Sequence, residues 1–214
     1  MLLQEQLNEA KHAFMANAPE DLQSKIFQHI KELQELGVNF GLMDGDKAPN
    51  FSLTNPLGEQ VTLYDELAKG PVVLAFYRGG WCPFCNVQLR SYQRILPDIQ
   101  KYEGQLIAIS PQSPDNTLSM KEKAELTFQV LSDPEGKVSG NYKVLFELPR
   151  YLQAAFKDAL DLDLAEYNQT ARWILPIPGT FIIDREGIVR ATHVDPDFMS
   201  RMEPQAIIEQ LQKL

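Results

Sequence analysis

Cys82 and Cys85 are the only thiols in the 214-residue chain, and both lie in Arg78-Gly79-Gly80-Trp81-Cys82-Pro83-Phe84-Cys85. Three residues apart on a helix, two side chains share one face at about 5–6 Å between Cβ atoms, close enough to bridge after a small adjustment. The preceding residues, Val72-Val73-Leu74-Ala75-Phe76-Tyr77, are continuously apolar, as in a central strand covered on both faces. Pro83 suits the first turn of a following helix. A strand ending in a Gly-Gly turn thus delivers both sulfurs to a helix's positive end, where free N–H groups and the dipole favour a thiolate. In Cys-x-x-Cys motifs thiol pKa values fall from about 8.5 to between about 3.5 and 7.5. One sulfur is then expected to attack a peroxide or a disulfide and the other to resolve the product. Structural zinc requires four ligands, and the three histidines, His12, His29 and His193, have no ligand spacing to one another or to the cysteines. Neither a metal nor an organic cofactor is expected.

The elements that hold this centre can be read on either side of it. Leu3, Leu7, Ala10 and Phe14, then Leu22, Ile26, Ile30 and Leu33, recur at helical spacing and predict two amphipathic helices in residues 1–41, parted at Asn17-Ala18-Pro19 and stopped by Gly37. From residue 42 to 214 short β-type runs alternate with helical ones, the pattern of one α/β domain. The helix from Pro83 continues through Val87, Tyr92, Ile95 and Ile99, with a kink expected at Pro97. Strands are expected at Gln105–Ser110 and Phe128–Leu131, with Ser113-Pro114-Asp115 opening a helix between them. Thr180–Ile183 and Ile188–Thr192 flank Asp184-Arg185-Glu186-Gly187 as a hairpin, and an amphipathic helix closes the chain from Glu203 to Leu211. Residues 142–175 fit the alternation poorly, although Arg150–Ala159 has helical spacing, and are read as a helical insertion.

Composition narrows the class of function. Hydrophobic residues make up 44% and charged ones 23%, the proportions of a globular chain. The balance of 20 basic against 29 acidic residues leaves a net charge of -9 with no basic cluster, which argues against nucleic acid as a partner. No apolar run approaches the length needed to span a bilayer. Met1-Leu2-Leu3-Gln4-Glu5 has neither the basic start nor the apolar stretch of a secretory leader, so the expected address is the cytoplasm, where an isolated Cys pair is more often redox-active or metal-binding than structural.

From about Asp46 to Leu214 the chain resembles the peroxiredoxin-like branch of the thioredoxin-fold superfamily, the alkyl hydroperoxide reductase and thiol-specific antioxidant group. The resemblance rests on Gly45-Asp46-Lys47-Ala48-Pro49-Asn50-Phe51, on Trp81-Cys82-Pro83-Phe84-Cys85 and on Gly179-Thr180-Phe181-Ile182-Ile183-Asp184, in that order. It implies a thioredoxin-like α/β fold, a central mixed sheet flanked by helices, carrying the N-terminal helical extension and the helical insertion. It also implies a thiol peroxidase that acts on small peroxides and is recycled by thioredoxin or a similar dithiol. The family's Pro-x-x-x-Thr-x-x-Cys motif places the peroxidatic cysteine on Cys85, with Arg78 at the proline position and Cys82 at the threonine position. The family arginine that precedes the Thr-Phe-Ile-Ile-Asp strand falls on Pro178, and Gly179 stands where thioredoxins have a cis-proline. Arg78 is either the substitute for that missing charge or a solvated residue.

Two other functions fit the same motif. In a thioredoxin-like disulfide oxidoreductase Cys82, earlier on the helix and expected to be more exposed, attacks first and Cys85 resolves. In a non-enzymatic, redox-responsive binding module the disulfide alters how the insertion or the N-terminal helices pack on a partner. Trp81 and Phe84 read first as packing residues, His193-Val194-Asp195-Pro196-Asp197 as a turn, and Asp158–Glu166 as a solvated acidic face. The two apolar helical stripes at the N-terminus must pack on the main domain or on a second subunit, and a homodimer is one expectation.

Overall fold

The two N-terminal stripes form helices α1 (Leu3–Asn17) and α2 (Glu20–Glu35) of a computed structural model that describes residues 2–214; Met1 lies outside the described residues. Then come strands β1 (Ser52–Thr54) and β2 (Gln60–Thr62), helix α3 (Leu63–Leu67), β3 (Val72–Phe76), α4 (Pro83–Lys101), β4 (Gln105–Ser110), α5 (Pro114–Lys123), β5 (Gln129–Ser132) and α6 (Lys137–Asn141). The remainder is β6 (Leu145–Glu147), α7 (Arg150–Leu160), α8 (Leu164–Asn168), β7 (Ile174–Pro176), β8 (Gly179–Ile183), β9 (Val189–Val194) and α9 (Pro204–Leu211).

Five strands form the central sheet in the order β5-β4-β3-β8-β9. β3 runs parallel to β4 and antiparallel to β8, so the sheet is mixed. Every residue of β3 is buried because both sheet faces are covered, which is why its sequence is apolar without alternation. Val73, Ala75 and Tyr77 face one core together with Ala108 and Ile182, and α1, α2, α4, α7 and α9 cover it. Val72, Leu74 and Phe76 face the other, closed by α3, α6 and the β1–β2 hairpin.

The N-terminal stripes pack on this domain. Leu3 and Leu7 of α1 and Leu22, Ile26 and Ile30 of α2 are buried in the same core as both cysteines. A helix as short as α1 is marginal alone in water, and each buried leucine contributes roughly 1.5–3 kcal/mol, so docking is what makes α1 stable.

The insertion contains more than helix. β6 and β7 pair antiparallel and bracket α7 and α8, so both ends of the excursion leave from one small two-stranded sheet. Each strand has three residues and β7 ends in Pro176, too short a run to show a period of two.

Candidate active site

β3 and α4 place the dithiol where the sequence requires it. Cys82 is the N-cap residue of α4, Pro83 occupies its first turn, and Cys85 follows within that turn. The turn before it is sterically specified. Gly79 has φ +151°, and a Cβ there would meet the Trp81 indole nitrogen at 2.5 Å. The Gly80 N–H donates to Gln112 Oε1 at 2.8 Å, and Gln112 Nε2 donates to the Tyr77 hydroxyl at 2.9 Å. These bonds tie the turn to the segment that follows β4.

Both cysteines are free thiols, and neither is exposed: Cys82 is 1% and Cys85 0% accessible. The greater exposure expected for Cys82 is therefore absent. The reason lies in what covers it. Arg78 is itself only 6% exposed, with its guanidinium 4.1 Å from the ring centroid of Phe198 and 4.8 Å from that of Trp81. Phe156, from α7 of the insertion, packs edge-on against Trp81. Phe84 packs edge-on against Phe198, so both aromatic residues of the motif serve as packing groups. Arg78 also borders an apolar cavity of about 20 Å³ walled by Ile26, His29 and Ile30 of α2 and Leu152 and Phe156 of α7, room for a molecule the size of water or slightly larger.

Two guanidinium groups reach the sulfurs. The Arg78 backbone N–H donates to Cys85 Sγ at 3.4 Å, and its Nη1 lies 3.9 Å from Cys82 Sγ. Arg201 Nη2 lies 3.6 Å from Cys85 Sγ. Arg201 is 5% exposed; its Nε donates to Gln88 Oε1 at 2.8 Å and its Nη1 to the Ser200 carbonyl at 3.2 Å. Gln88 in turn donates to Thr180 Oγ1 at 3.4 Å. Among the described residues neither arginine forms an ion pair with a carboxylate. A buried guanidinium without an anion is costly, and a thiolate at Cys85 lowers that cost for both.

The two sulfurs are driven apart in acidity. Burial opposes ionisation of Cys85, but the Cys82 S–H bond, Arg201, Arg78 and the Arg78 backbone N–H outweigh it and bring the thiol down to about 5. Burial, reinforced by the hydrogen bond and negative charge of Cys85, pushes the Cys82 thiol well up. Coupled groups titrate as a pair, and the pair's first proton leaves from Cys85. At neutral pH the dithiol is thus a Cys85 thiolate accepting a hydrogen bond from the Cys82 thiol.

Sequence reasoning singled out Arg78 and missed Arg201, which reaches the site from the loop between β9 and α9. Pro178, at the position of the family arginine, lies at the wall of the small cavity. His193 and Asp195 are not brought to the dithiol. His193 Nε2 lies 3.2 Å from Ser200 Oγ, and Asp195 and Asp197 accept backbone N–H groups two residues on, as turn residues do.

Known proteins carry the same frame. The chain is 33% identical over 139 residues to a putative peroxiredoxin of Mycobacterium tuberculosis, covering 61% of this chain and 88% of that protein. It is 33% identical over 103 residues to peroxiredoxin Bcp of Escherichia coli, covering 48% and 65% respectively. The fold matches the crystal structure of peroxidoxin BcpB from M. tuberculosis with a TM-score of 0.63 at 19% identity, over 82% of this chain and 99% of that one. A peroxiredoxin-like protein from Aquifex aeolicus also matches at 0.63, with 16% identity, over 82% and 90%. Residues 45–192 match the model of the AhpC/TSA family. They take in β3, the glycine turn and the dithiol at the head of α4, and on that match the chain belongs to the AhpC/TSA family.

Proposed function

We propose that this family member is a thiol peroxidase in which Cys85 is the peroxidatic cysteine and Cys82 its resolving partner. The observation that carries the assignment is the position of Cys85 Sγ among the Arg201 guanidinium, the Arg78 backbone N–H and the Cys82 thiol. The Cys85 thiolate attacks the outer oxygen of hydrogen peroxide or an organic hydroperoxide, the O–O bond breaks, and the departing oxygen takes a proton to leave as water or an alcohol. Arg201 faces the charge that develops there, the kind of fixed, water-excluded cation that stabilises such a transition state. Cys85 becomes a sulfenic acid, the Cys82 thiol condenses with it to a disulfide, and water is released. Thioredoxin or a similar dithiol then returns the pair to the reduced state.

In this reading residues 42–214 form the catalytic domain, with the insertion at 142–175, and residues 1–41 form its helical extension. The protein acts in the cytoplasm, and the apolar stripes of α1 and α2 that made a homodimer one expectation are buried in this chain's own core. Among the described residues no helix is long and apolar enough to cross a membrane. The high acidity demanded of Cys82 if it were to attack first is opposed by its burial and by the Cys85 charge, which speaks against the disulfide oxidoreductase as the primary activity. The test is stoichiometric: one equivalent of hydrogen peroxide should remove two thiols per chain and leave a Cys82–Cys85 disulfide by mass spectrometry, which thioredoxin then reduces. Loss of no thiols would refute the proposal.

A further inference from the structure

Arg201 acts from a segment that has no regular structure of its own, between the end of β9 and the start of α9, and three side chains, Arg201, Tyr92 and Glu203, tie it down. Arg201 Nε donates to Gln88 Oε1 of α4 at 2.8 Å. The Tyr92 hydroxyl, also on α4, donates to the Met202 carbonyl at 2.9 Å. The third reaches the other end of the chain: Glu203 Oε2 accepts the Leu3 N–H at 3.0 Å and Oε1 accepts the Gln4 N–H at 2.7 Å. These are two of the free N–H groups that every helix leaves at its start, and a carboxylate there also meets the positive end of the dipole. α1 is anchored beyond this bond, since Leu3 and Leu7 are buried in the core that holds Cys85.

We propose that Glu203 is the positioning residue for Arg201, and that α1 thereby forms part of the active site. This rests on the reading of Cys85 as the peroxidatic cysteine. The arrangement does two things at once. It pins the segment two residues beyond Arg201 to a helix buried on α4. It also commits both oxygens of the nearby carboxylate to α1, so that Glu203 makes no ion pair with Arg201 and the guanidinium keeps its charge for the sulfur. Residues 3, 4, 201 and 203 all lie outside the 45–192 region that matches the family.

The titratable and charged groups around Cys85 are Cys82, Arg78, Tyr77 and Arg201, with Tyr92, Glu203 and, on β9 beside Ser200, His193 further out, and they give the test a sign. Removing the Glu203 charge by itself strengthens the local positive field and moves the Cys85 thiolate midpoint down. Releasing Arg201 from its place moves it up. In full-length Glu203→Ala, thiolate absorbance followed against pH should show the midpoint raised by about one unit, with the peroxide rate constant near that pH lowered at least ~threefold. Glu203→Gln, which loses the charge but whose amide oxygen still accepts from α1, should have a midpoint below that of Glu203→Ala. Hydrogen exchange at the Leu3 and Gln4 amides reports whether the bond to α1 is broken. A midpoint that is unchanged or lower with those amides released would overturn the proposal, as would amides that stay fully protected in Glu203→Ala. The titration needs no peroxide, so a clean upward shift in a protein unreactive toward peroxide would refute the peroxidase and leave the clamp standing.

Discussion

Arg201 Nη2 lies 3.6 Å from Cys85 Sγ although 116 positions separate the two residues. The contact puts a buried cation on the sulfur that the dithiol ionises first, and it comes from a different element than the arginine of the family pattern, whose place is Pro178 here. Replacing Arg201 with alanine should raise the Cys85 midpoint by a pH unit or more and slow peroxide reduction by about 10²-fold, within the range for loss of one fixed transition-state contact. Arg201→Lys should recover only part of this, because an ammonium cannot hold Gln88 Oε1 and the sulfur together as a planar fork does. Stopped-flow tryptophan fluorescence, with Trp81 beside the dithiol, measures both.

The two cysteines should fail differently. Cys85→Ser should abolish reaction with peroxide. Cys82→Ser should keep the first oxidation, since a hydroxyl still donates to the thiolate, but stop at a Cys85 sulfenic acid and lose turnover with thioredoxin. Mass spectrometry after one equivalent of peroxide should find one added oxygen in Cys82→Ser and none in Cys85→Ser.

Removing the aromatic cover should loosen Arg78. Phe156→Ala leaves a void beside Trp81 and the guanidinium, and a buried phenylalanine lost in this way costs roughly 3–5 kcal/mol. Chemical denaturation should show that loss. Trp81 emission should also shift toward the red in the folded protein as water reaches its ring.

Acid should weaken the fold through its half-buried imidazoles and the Cys85 thiolate. Burial holds His29 and His193 below the ordinary histidine value, with Glu32 and Asp195 opposing the shift in part. The unfolded chain therefore binds protons that the folded chain refuses. Their contribution is complete above the ordinary histidine value and is lost as pH falls below it, toward the folded value. The melting temperature should fall from pH 7.5 to 5.5, in part because the lowered Cys85 thiol adds to the loss over the same range, and the fall should be less steep in His29→Gln, whose side chain takes up no proton.

Much of this arrangement is legible in the sequence, for physical reasons that stop at identifiable residues. β3 is readable because both of its faces are buried, and α1 and α2 because each shows one apolar stripe. The β8–β9 hairpin is readable from its turn residues, Asp184 to Gly187. Cys85 stands out because a thiol at a helix start has few structural uses. Arg201 does not, since neither Ser200 nor Met202 marks it and only the folded chain brings its loop to α4. Cys82 looks exposed at a helix cap until Arg78, Trp81, Phe156 and Phe198 close over it, a closure that depends on the insertion. The role of Glu203 is equally hidden, because a carboxylate before a helix reads as a local feature while its partners are Leu3 and Gln4.

The most direct test of the Cys85 thiolate as the reacting group is the pH profile of the second-order rate constant between reduced wild-type protein and hydrogen peroxide. The arrangement predicts a constant above ~10⁴ M⁻¹s⁻¹ that is flat from pH 8 down to about 6 and falls through a midpoint near 5, the value to which the Cys85 thiol is lowered. A constant near that of a free thiol, or one that rises with pH through the ordinary cysteine range of about 8.5, would contradict it.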